Sequence, residues 1–339
     1  MFLPTHNWGR FAEALDWVNE MLASAQASGD MDLLIVGHSA ACCTYYWRGD
    51  FNPSREHGDR VLALYSEDKH HHLADIMNVD PKTYVSLYIS LGMWMFGYPD
   101  RAVQVSDAKD ANARRRGHPF DIGYALTFGG LVWDFRREPE RLLSCAEDAE
   151  RLGRAHSLPF VSEVLAQIFK GIALLRGGRL DEGIVLLRNA TEIWTAGGAG
   201  GMTPYLRATL AEGIVFSGDL VGGLNLIEES LAQIARPGWE ERSHLAEVLR
   251  LKGWMLQQQG KVAAAEANYL ASLDVGREQQ AKSWELRTSM SLARLWQSQG
   301  KRKEALDLFK PIYDWFTEGF YTHDLKQAKT LLDELSASA

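Results

Sequence analysis

The feature that most constrains the fold of this chain is a turn residue, usually glycine, that recurs about every 40 residues. The stretches LLRGGRLDEGIVLL (174–187), LQQQGKVAAAEANYL (256–270) and WQSQGKRKEALDLF (296–309) share an apolar end, a glycine, a polar or basic residue, and a small residue five places after the glycine. Glycine is only 30 of 339 residues, so its presence at seven of eight such places is not chance. The turn positions are Gly9, Gly49, Gly97, Arg137, Gly178, Gly218, Gly260 and Gly300.

This spacing predicts a helix-turn-helix unit repeated eight times. Glycine suits the end of the first helix because that turn needs a left-handed residue without a Cβ penalty. Small residues on both helices then allow a close crossing, and the second helix should begin one or two residues after the turn. Five places after the turns stand Ala14, Ser54, Ala102, Leu142, Gly183, Gly223, Ala265 and Ala305. Seven places before them stand Phe2, Cys42, Ser90, Gly130, Gly171, Ala211, Gly253 and Ala293.

The repeat fixes the predicted fold class. Apolar residues recur at helical spacing and no segment alternates with period two, so the chain is predicted to be all-α. The small–turn–small pattern is the tetratricopeptide signature, although its usual period is about 34 residues. We expect one right-handed superhelical solenoid over residues 1–339, with about eight units. Residues 1–28 would be an incomplete first unit and residues 318–339 a C-terminal capping helix.

Composition and charge narrow the function classes. The net charge of −8 argues against nucleic acid as a partner, because polyanion binders carry a basic excess. Cys42, Cys43 and Cys145 are too few for a disulfide framework or a zinc site, which suits a reducing compartment. The longest apolar stretches, such as 91–96, are far shorter than the ~20 residues that span a bilayer, and no signal peptide opens the chain. A cytoplasmic protein without a membrane partner is predicted.

An enzymatic function finds little support in the sequence. The stretch GHSAA (37–41) approaches the G-x-S-x-G turn of α/β-hydrolases, with alanine at the second glycine. Cys42 lies seven residues before Gly49, however, which places Ser39 in the middle of a first helix with no preceding strand. Consecutive histidines, 70–72, cannot all face one metal ion. We therefore predict no catalytic residue, no metal and no cofactor.

Several stretches resemble the C-terminal tetratricopeptide region of bacterial proteins that join a class III nucleotide cyclase to an ATPase of the AAA or STAND type. They are residues 93–103, 117–126, 249–256, 279–306 and, most distinctively, YDWFTEGFYTHDLKQAKTLLDEL at 313–335. The resemblance implies a sensor or docking arm whose partner is a cyclase or ATPase module. The chain has no G-x-x-x-x-G-K-[ST] loop and no cyclase-like strand with metal-binding aspartates, so the activity itself is not implied.

Two functions remain open. The first is a non-catalytic interaction arm of a bacterial signalling system that docks a protein segment, or the cyclase or ATPase module, in its concave groove. The alternative is a sensor whose solenoid closes on a small ligand or peptide. An open groove would favour the first function, and a deep apolar pocket with convergent polar groups the second.

The candidate groove residues come from the first helices. Arg250, Arg287 and Arg294, flanked by Gln257 and Gln297, are predicted to face inward and clamp a carboxylate or acidic segment. The alternative is that Arg250 pairs with Glu247 one turn earlier while the other two arginines are solvated. Aromatic residues near the ends of first helices should mostly pack in the core, and those with an accessible face should line the groove. Tyr46 and Trp94 are the two aromatic candidates.

The N-terminal edge carries a further expectation. The helix of the first unit lacks its partner, so Phe11, Leu15, Val18 and Leu22 should partly face water. Uncapped apolar edges of solenoids tend to find a partner. Self-association or docking through residues 1–25 is therefore expected.

Overall fold

The computed structural model describes residues 9–337, which are helical almost throughout and contain no strand. A 3₁₀ turn (Phe128–Gly130) and a π-helical turn (Phe160–Leu165) interrupt the pattern. The α-helices are α1 (Phe11–Ser28), α2 (Met31–Arg48), α3 (Phe51–Leu64), α4 (Glu67–His70), α5 (Leu73–Met77), α6 (Pro81–Met95), α7 (Pro99–Arg116), α8 (Pro119–Thr127), α9 (Leu131–Phe135), α10 (Pro139–Ala155), α11 (Ala166–Arg176), α12 (Leu180–Ala196), α13 (Thr203–Phe216), α14 (Leu220–Ile234), α15 (Leu245–Gln258), α16 (Val262–Glu278), α17 (Lys282–Ser298), α18 (Arg302–Asp314) and α19 (His323–Ser336).

All eight predicted turn positions adopt the left-handed conformation, with φ from 58° at Arg137 to 103° at Gly218. In every unit the second helix begins two residues after the turn, which confirms the prediction. Those second helices begin at Phe11, Phe51, Pro99, Pro139, Leu180, Leu220, Val262 and Arg302. The longest unit, between Gly49 and Gly97, accommodates its extra residues in the short helices α4 and α5.

The small residues predicted at the helix crossings are buried and in contact. Ser54 Oγ donates to the carbonyl oxygen of Cys42 at 2.7 Å. In the next unit Ser90 Oγ donates to the carbonyl oxygen of Ala102 at the same distance. These bonds join the helices of one unit at the expected positions and confirm the close crossing. Phe2, the corresponding residue of the first unit, lies outside the described residues.

The crossing geometry predicts the cost of adding a side chain at Gly253. A Cβ atom there would lie 2.7 Å from two ring atoms of the buried Tyr269 and 3.1 Å from the Ala265 carbonyl oxygen. Gly253→Ala should therefore lower the free energy of unfolding by about 1–3 kcal/mol through overpacking. Gly92→Ala is the matched control, because a Cβ on that helical glycine meets nothing within 4 Å. Chemical denaturation in which Gly253→Ala is as stable as Gly92→Ala would contradict the assignment.

The superhelix is wound so tightly that units far apart in sequence touch. The carbonyl oxygen of Trp47, near the end of α2, accepts the N–H groups of Arg242 and Ser243 at 2.9 and 3.1 Å. Near the end of α6, the Trp94 ring packs edge-on against that of Trp284, with 4.8 Å between ring centroids. Ser283 Oγ donates to the carbonyl oxygen of Trp94 at 2.5 Å. The second and third units thus close against the seventh and eighth.

The C-terminal motif at 313–335 also serves this closure. Glu318 Oε1 accepts the backbone N–H groups of Asp100 and Arg101 at 2.9 and 3.0 Å. The N–H of Gly319 donates to Asp100 Oδ2 at 3.0 Å, and Arg136 Nη2 donates to Tyr321 Oη at 3.3 Å. The most distinctive stretch of the sequence therefore binds the third and fourth units of its own solenoid.

The N-terminal helix is more buried than expected. Phe11 and Val18 are 0% and 1% exposed, whereas Leu15 and Leu22 are half-buried. The expectation that Phe11 and Val18 face water was wrong. Val18 packs against Ala40 and Ala41 of α2, and superhelix closure brings the 236–242 connection against the start of α1 beside Phe11. There the Ala12 N–H donates to the Gly238 carbonyl oxygen at 3.4 Å. Residues 1–8 lie outside the described residues, so association through residues 1–25 stays a prediction.

The two residue groups considered for catalysis or metal binding have structural partners. Ser39 is buried inside α2, and its Oγ donates to the Ile35 carbonyl oxygen at 2.8 Å, which confirms a helix residue. His70 Nδ1 accepts the Ser66 N–H at 2.9 Å, and His72 pairs with Asp32 on the surface. Over residues 9–337 no three histidine, cysteine or acidic side chains gather as a metal site, and no helix is long and apolar enough to cross a membrane.

Candidate functional site

An aromatic plug fills the middle of the superhelix. Its members are Trp94, Phe135, Tyr205, His244 and Trp284, whose neighbouring ring centroids lie 4.2–6.3 Å apart. Burial of the imidazole lowers the pKa of His244 to about 3, so this ring is neutral at pH 7. Trp47, whose ring centroid lies 5.9 Å from that of His244, lines one cavity beside the plug, and Arg287, which contacts Trp94 and Trp284, lines a second one.

The smaller cavity is aromatic and lies on the side of the plug that Trp47 faces. Its volume is about 380 Å³. Tyr84 and Tyr124 stack in its wall with ring centroids 5.8 Å apart, and Phe160 stacks on Trp194 at 6.1 Å. These residues were not predicted to line a cavity, because buried positions in the core were expected for most aromatic side chains.

The larger cavity is charged and has a volume of about 830 Å³. It lies on the other side of the plug, among the first helices of units five to eight, the turn of unit four with the start of α10, and α19. Four of the seven predicted groove residues line it, namely Arg250, Gln257, Arg287 and Arg294. We call it the charged cavity.

Arg250 is held by its own helix. Its Nε and Nη2 donate to the two carboxylate oxygens of Glu247 at 2.7 and 2.8 Å. This is the pairing foreseen as the alternative to a ligand clamp. The carboxylate already occupies the fork of Arg250, so this guanidinium is a fixed part of the cavity wall.

Arg287 is neither solvated nor available as a clamp. Its side chain is 6% exposed, its Nε donates to Asp324 Oδ2 at 2.7 Å, and its Nη2 donates to the Phe135 carbonyl oxygen at 2.5 Å. The guanidinium also lies between the rings of Trp94 and Trp284, 4.9 and 5.0 Å from their centroids. Superhelix closure, which the sequence did not indicate, brings Phe135 and Trp94 to it.

The remaining predicted residues differ in accessibility. Arg294 is exposed, and its Nη2 donates to Gln327 Oε1 at 3.2 Å. Gln257 Oε1 accepts the hydroxyl of Tyr269 at 2.9 Å. Gln297, one turn after Arg294 on α17, is half-buried and is not among the described residues that line the charged cavity.

Tyr46 and Trp94 do not line a groove. They are 0% and 3% exposed and belong to the core. Tyr46 packs against Tyr88 with ring centroids 5.3 Å apart, while Trp94 packs in the plug. The prediction of an accessible face was wrong for both residues, because Tyr46 is covered by Phe51 and by Tyr88 of the next unit, and Trp94 by Trp284 of the closing turn.

A network of buried ion pairs forms the floor of the charged cavity. Asp134 accepts from Arg176 Nε at 2.7 Å, and Arg176 also pairs with Glu212. Burial by itself would raise the pKa of Glu247, but Arg250, Arg287 and Arg137 lower it to about 2. The pKa of Asp324 is likewise lowered, against the effect of burial, chiefly by Arg287. Four carboxylates and four guanidiniums compose the network: Asp134, Glu212, Glu247, Asp324, Arg137, Arg176, Arg250 and Arg287.

The cavity contains a serine and a histidine that do not form a nucleophile–base pair. Ser291 Oγ donates to the Arg287 carbonyl oxygen at 3.1 Å. His323 Nδ1 lies 3.4 Å from Asp324 Oδ1. A hydrolytic pair requires the base within hydrogen-bond reach of the hydroxyl. Here the serine hydroxyl bonds to a backbone carbonyl and the histidine lies beside an aspartate, so the two side chains are not paired with each other. The geometry suits binding.

Comparison with known proteins bears on the fold. The sequence matches no protein-family model and no curated protein. A Rap protein complexed with Competence and Sporulation Factor matches 99% of this chain and 97% of its own, with 10% identity and a TM-score of 0.61. NprR in complex with its cognate peptide NprX matches 89% of this chain and 82% of its own, with 15% identity and a TM-score of 0.56. The fold is a tetratricopeptide-type helical solenoid.

A third solenoid gives the same result over a longer chain. Cut9, from the APC/C hetero-tetramer Cut9–Hcn1, is similar over 98% of this chain with 12% identity and a TM-score of 0.58. This chain spans only 54% of Cut9. At such identities the similarity concerns the tetratricopeptide-type fold.

Proposed function

We propose that this tetratricopeptide-type solenoid is a non-catalytic sensor that binds a short peptide in the charged cavity. The observation that carries the proposal is the closed interior. Contacts of Trp47, Trp94 and Phe135 with the seventh and eighth units replace an open groove with a cavity of about 830 Å³. Pockets for compact ligands measure about 300–1,000 Å³. A long extended segment would need the space that the plug fills.

The lining of the cavity suits a peptide. Leu175, Phe216, Trp254 and Met290 offer apolar contacts, and the amide of Gln257 stands among them. Peptides present apolar side chains together with backbone N–H and C=O groups, so a mixed wall of this kind can satisfy both. Rap complexed with Competence and Sporulation Factor and NprR in complex with its cognate peptide NprX support ligand binding by a solenoid of this fold.

Binding would favour the closed superhelix. The cavity wall combines residues of units four to eight with α19, so one ligand contacts elements that come together only on closure. A ligand that binds the closed form better shifts the population toward it. The response would then be read by a partner in a cytoplasmic signalling system.

Docking of a cyclase or ATPase module is the second candidate. It rests on the sequence resemblance, which is strongest at 313–335. Within that motif Phe320 and Tyr321 are 48% and 59% exposed, and such large apolar side chains suit a protein contact. Phe320→Ser should weaken binding to a purified class III cyclase or STAND ATPase module of the same genome. Unchanged binding, or no binding by either form, would contradict docking through this motif.

Filling the charged cavity tests the proposed function. Ser291 lies in its wall, and phenylalanine at this position should occupy the ligand space. Ser298, seven residues later on the exposed part of α17, is the matched control, since both hydroxyls donate to a carbonyl one turn earlier. Synthetic hexapeptides should raise the melting temperature of the wild type and Ser298→Phe but not of Ser291→Phe. Equal stabilisation of all three proteins, or of none by any peptide, would contradict the proposal.

A further inference from the structure

Arg137 occupies a turn position at which the other units have glycine, and the backbone conformation there is unfavourable for any other residue. Seven of the eight turn positions carry glycine, and Arg137 adopts the same left-handed conformation with φ of 58°. A side chain with a β-carbon is strained in this region. Residues are kept in strained conformations chiefly at ligand-binding and other functional sites. The turn itself requires no arginine, so its side chain calls for a different explanation.

The guanidinium of Arg137 lines the charged cavity and lacks close partners. Its nearest carboxylate oxygens are Glu212 Oε2 at 3.7 Å and Glu247 Oε1 at 3.6 Å, beyond hydrogen-bond distance. Those carboxylates are committed to Arg176 and Arg250, which make the short contacts. Within residues 9–337 the Arg137 side chain makes no hydrogen bond, although a guanidinium has five N–H donors.

The electrostatic environment of Arg137 agrees with this geometry. Burial lowers its pKa, and the neighbouring charges of Arg176 and Arg287 lower it further, although Glu212 and Glu247 offset part of this effect. The other guanidiniums of the network have hydrogen-bonded carboxylates that offset the same costs. Arg137 therefore brings positive charge and unused donors to the cavity, and a bound anion would satisfy both.

We propose that Arg137 anchors a carboxylate group of the ligand, an inference that rests on the peptide-binding function proposed above. A guanidinium fork binds a carboxylate through two parallel hydrogen bonds, which gives both strength and orientation. The ion pairs Arg176–Glu212 and Arg250–Glu247 on either side hold the walls of the site in place. The carboxylate comes either from the peptide C-terminus or from an aspartate or glutamate side chain.

Glycine at position 137 separates the binding role from the structural one. Arg137→Gly removes the side chain while keeping the residue type that the other seven turns carry, so we expect the turn to be retained and the affinity to be about ten- to a hundredfold lower. Arg137→Lys keeps the charge without the fork and should recover only part of the affinity. Ser157→Gly is the control, because Ser157 is an exposed left-handed residue with φ of 53° outside the cavity. It should leave affinity unchanged.

The peptides that distinguish the two carboxylate sources are those that stabilise the wild type and not Ser291→Phe. Each is remade with an amidated C-terminus and, separately, with asparagine or glutamine in place of its acidic residues. If one of these changes abolishes binding to the wild type, and Arg137→Gly binds the original and the changed peptide equally, the carboxylate that Arg137 anchors is the one that was removed. Equal affinities of wild type and Arg137→Gly for the original peptide would overturn it.

A simple dicarboxylate keeps the inference testable if no peptide binds. Glutarate, compared with chloride at the same ionic strength, should raise the melting temperature of the wild type and Arg137→Lys more than that of Arg137→Gly. That result, without a peptide hit, would support the anion site while contradicting peptide binding. If neither peptides nor glutarate stabilise the protein through Arg137, the anchor is overturned as well.

Discussion

Trp284→Ala is expected to destabilise the protein by about 3–5 kcal/mol, the cost of removing a buried tryptophan from a well-packed core, and to open the superhelix. The Trp284 ring is 1% exposed and lies 4.8 Å from the ring of Trp94 and 5.7 Å from that of Phe135. Its Nε1 also donates to the Ser243 carbonyl oxygen at 3.2 Å. These partners belong to three other units, so the loss should appear both in urea denaturation and as a larger radius of gyration by X-ray scattering.

Trp254→Ala is the control for the same side-chain truncation. Trp254 is half-buried at the charged cavity and stacks on Phe216 of the preceding unit, with 5.2 Å between ring centroids. It joins neighbouring units only, so we expect a smaller loss of stability and an unchanged radius of gyration. If Trp284→Ala behaves in the same way as Trp254→Ala, the aromatic plug does not hold the superhelix closed.

The local part of the fold could be predicted because its causes are local in sequence. The turn positions, the start of each second helix and the small residues at the crossings depend on residues within about twelve positions of one another. Even Arg137, the exception among glycines, was identified as a turn. Where the expectation failed for Phe11, the 236–242 connection that lies against the start of α1 is more than 200 residues away.

The closure of the superhelix left no comparable trace in the sequence. Some of its contacts use backbone carbonyls, such as those of Trp47 and Trp94, which any residue could provide. Others use side chains, such as Glu318 with the Asp100 N–H, but these partners are 218 residues apart and share no local pattern. The repeat indicates which helix faces inward but does not set how tightly the solenoid winds. For this reason the first helices could be chosen as the source of Arg250, Arg287 and Arg294, which line the charged cavity, while the burial of Arg287 and Trp94 was missed. The Glu247–Arg250 pair was foreseeable, since its partners are three residues apart.

Glu247→Gln is expected to cost about 3–5 kcal/mol at pH 7, because removing one charge of a buried ion pair leaves the others uncompensated. Glutamine keeps the volume of the side chain but cannot neutralise the guanidiniums of Arg250, Arg287 and Arg137, all of which face this carboxylate. Glu182→Gln is the control. Glu182 forms the same bidentate pair with Arg179 three residues away, but on the surface, where such pairs contribute little.

The pH dependence of the same variant tests the electrostatic cause. The pKa of Glu247 in the folded protein is about 2, below its ordinary value of 4.5. The stability that this carboxylate contributes is therefore present above pH 4.5 and is lost as the pH falls toward 2. The difference in unfolding free energy between wild type and Glu247→Gln should be largest near neutral pH and shrink below pH 4.5. A difference that stays constant on acidification would assign the loss to packing rather than charge, and a Glu247→Gln protein as stable as Glu182→Gln at pH 7 would contradict the buried network altogether.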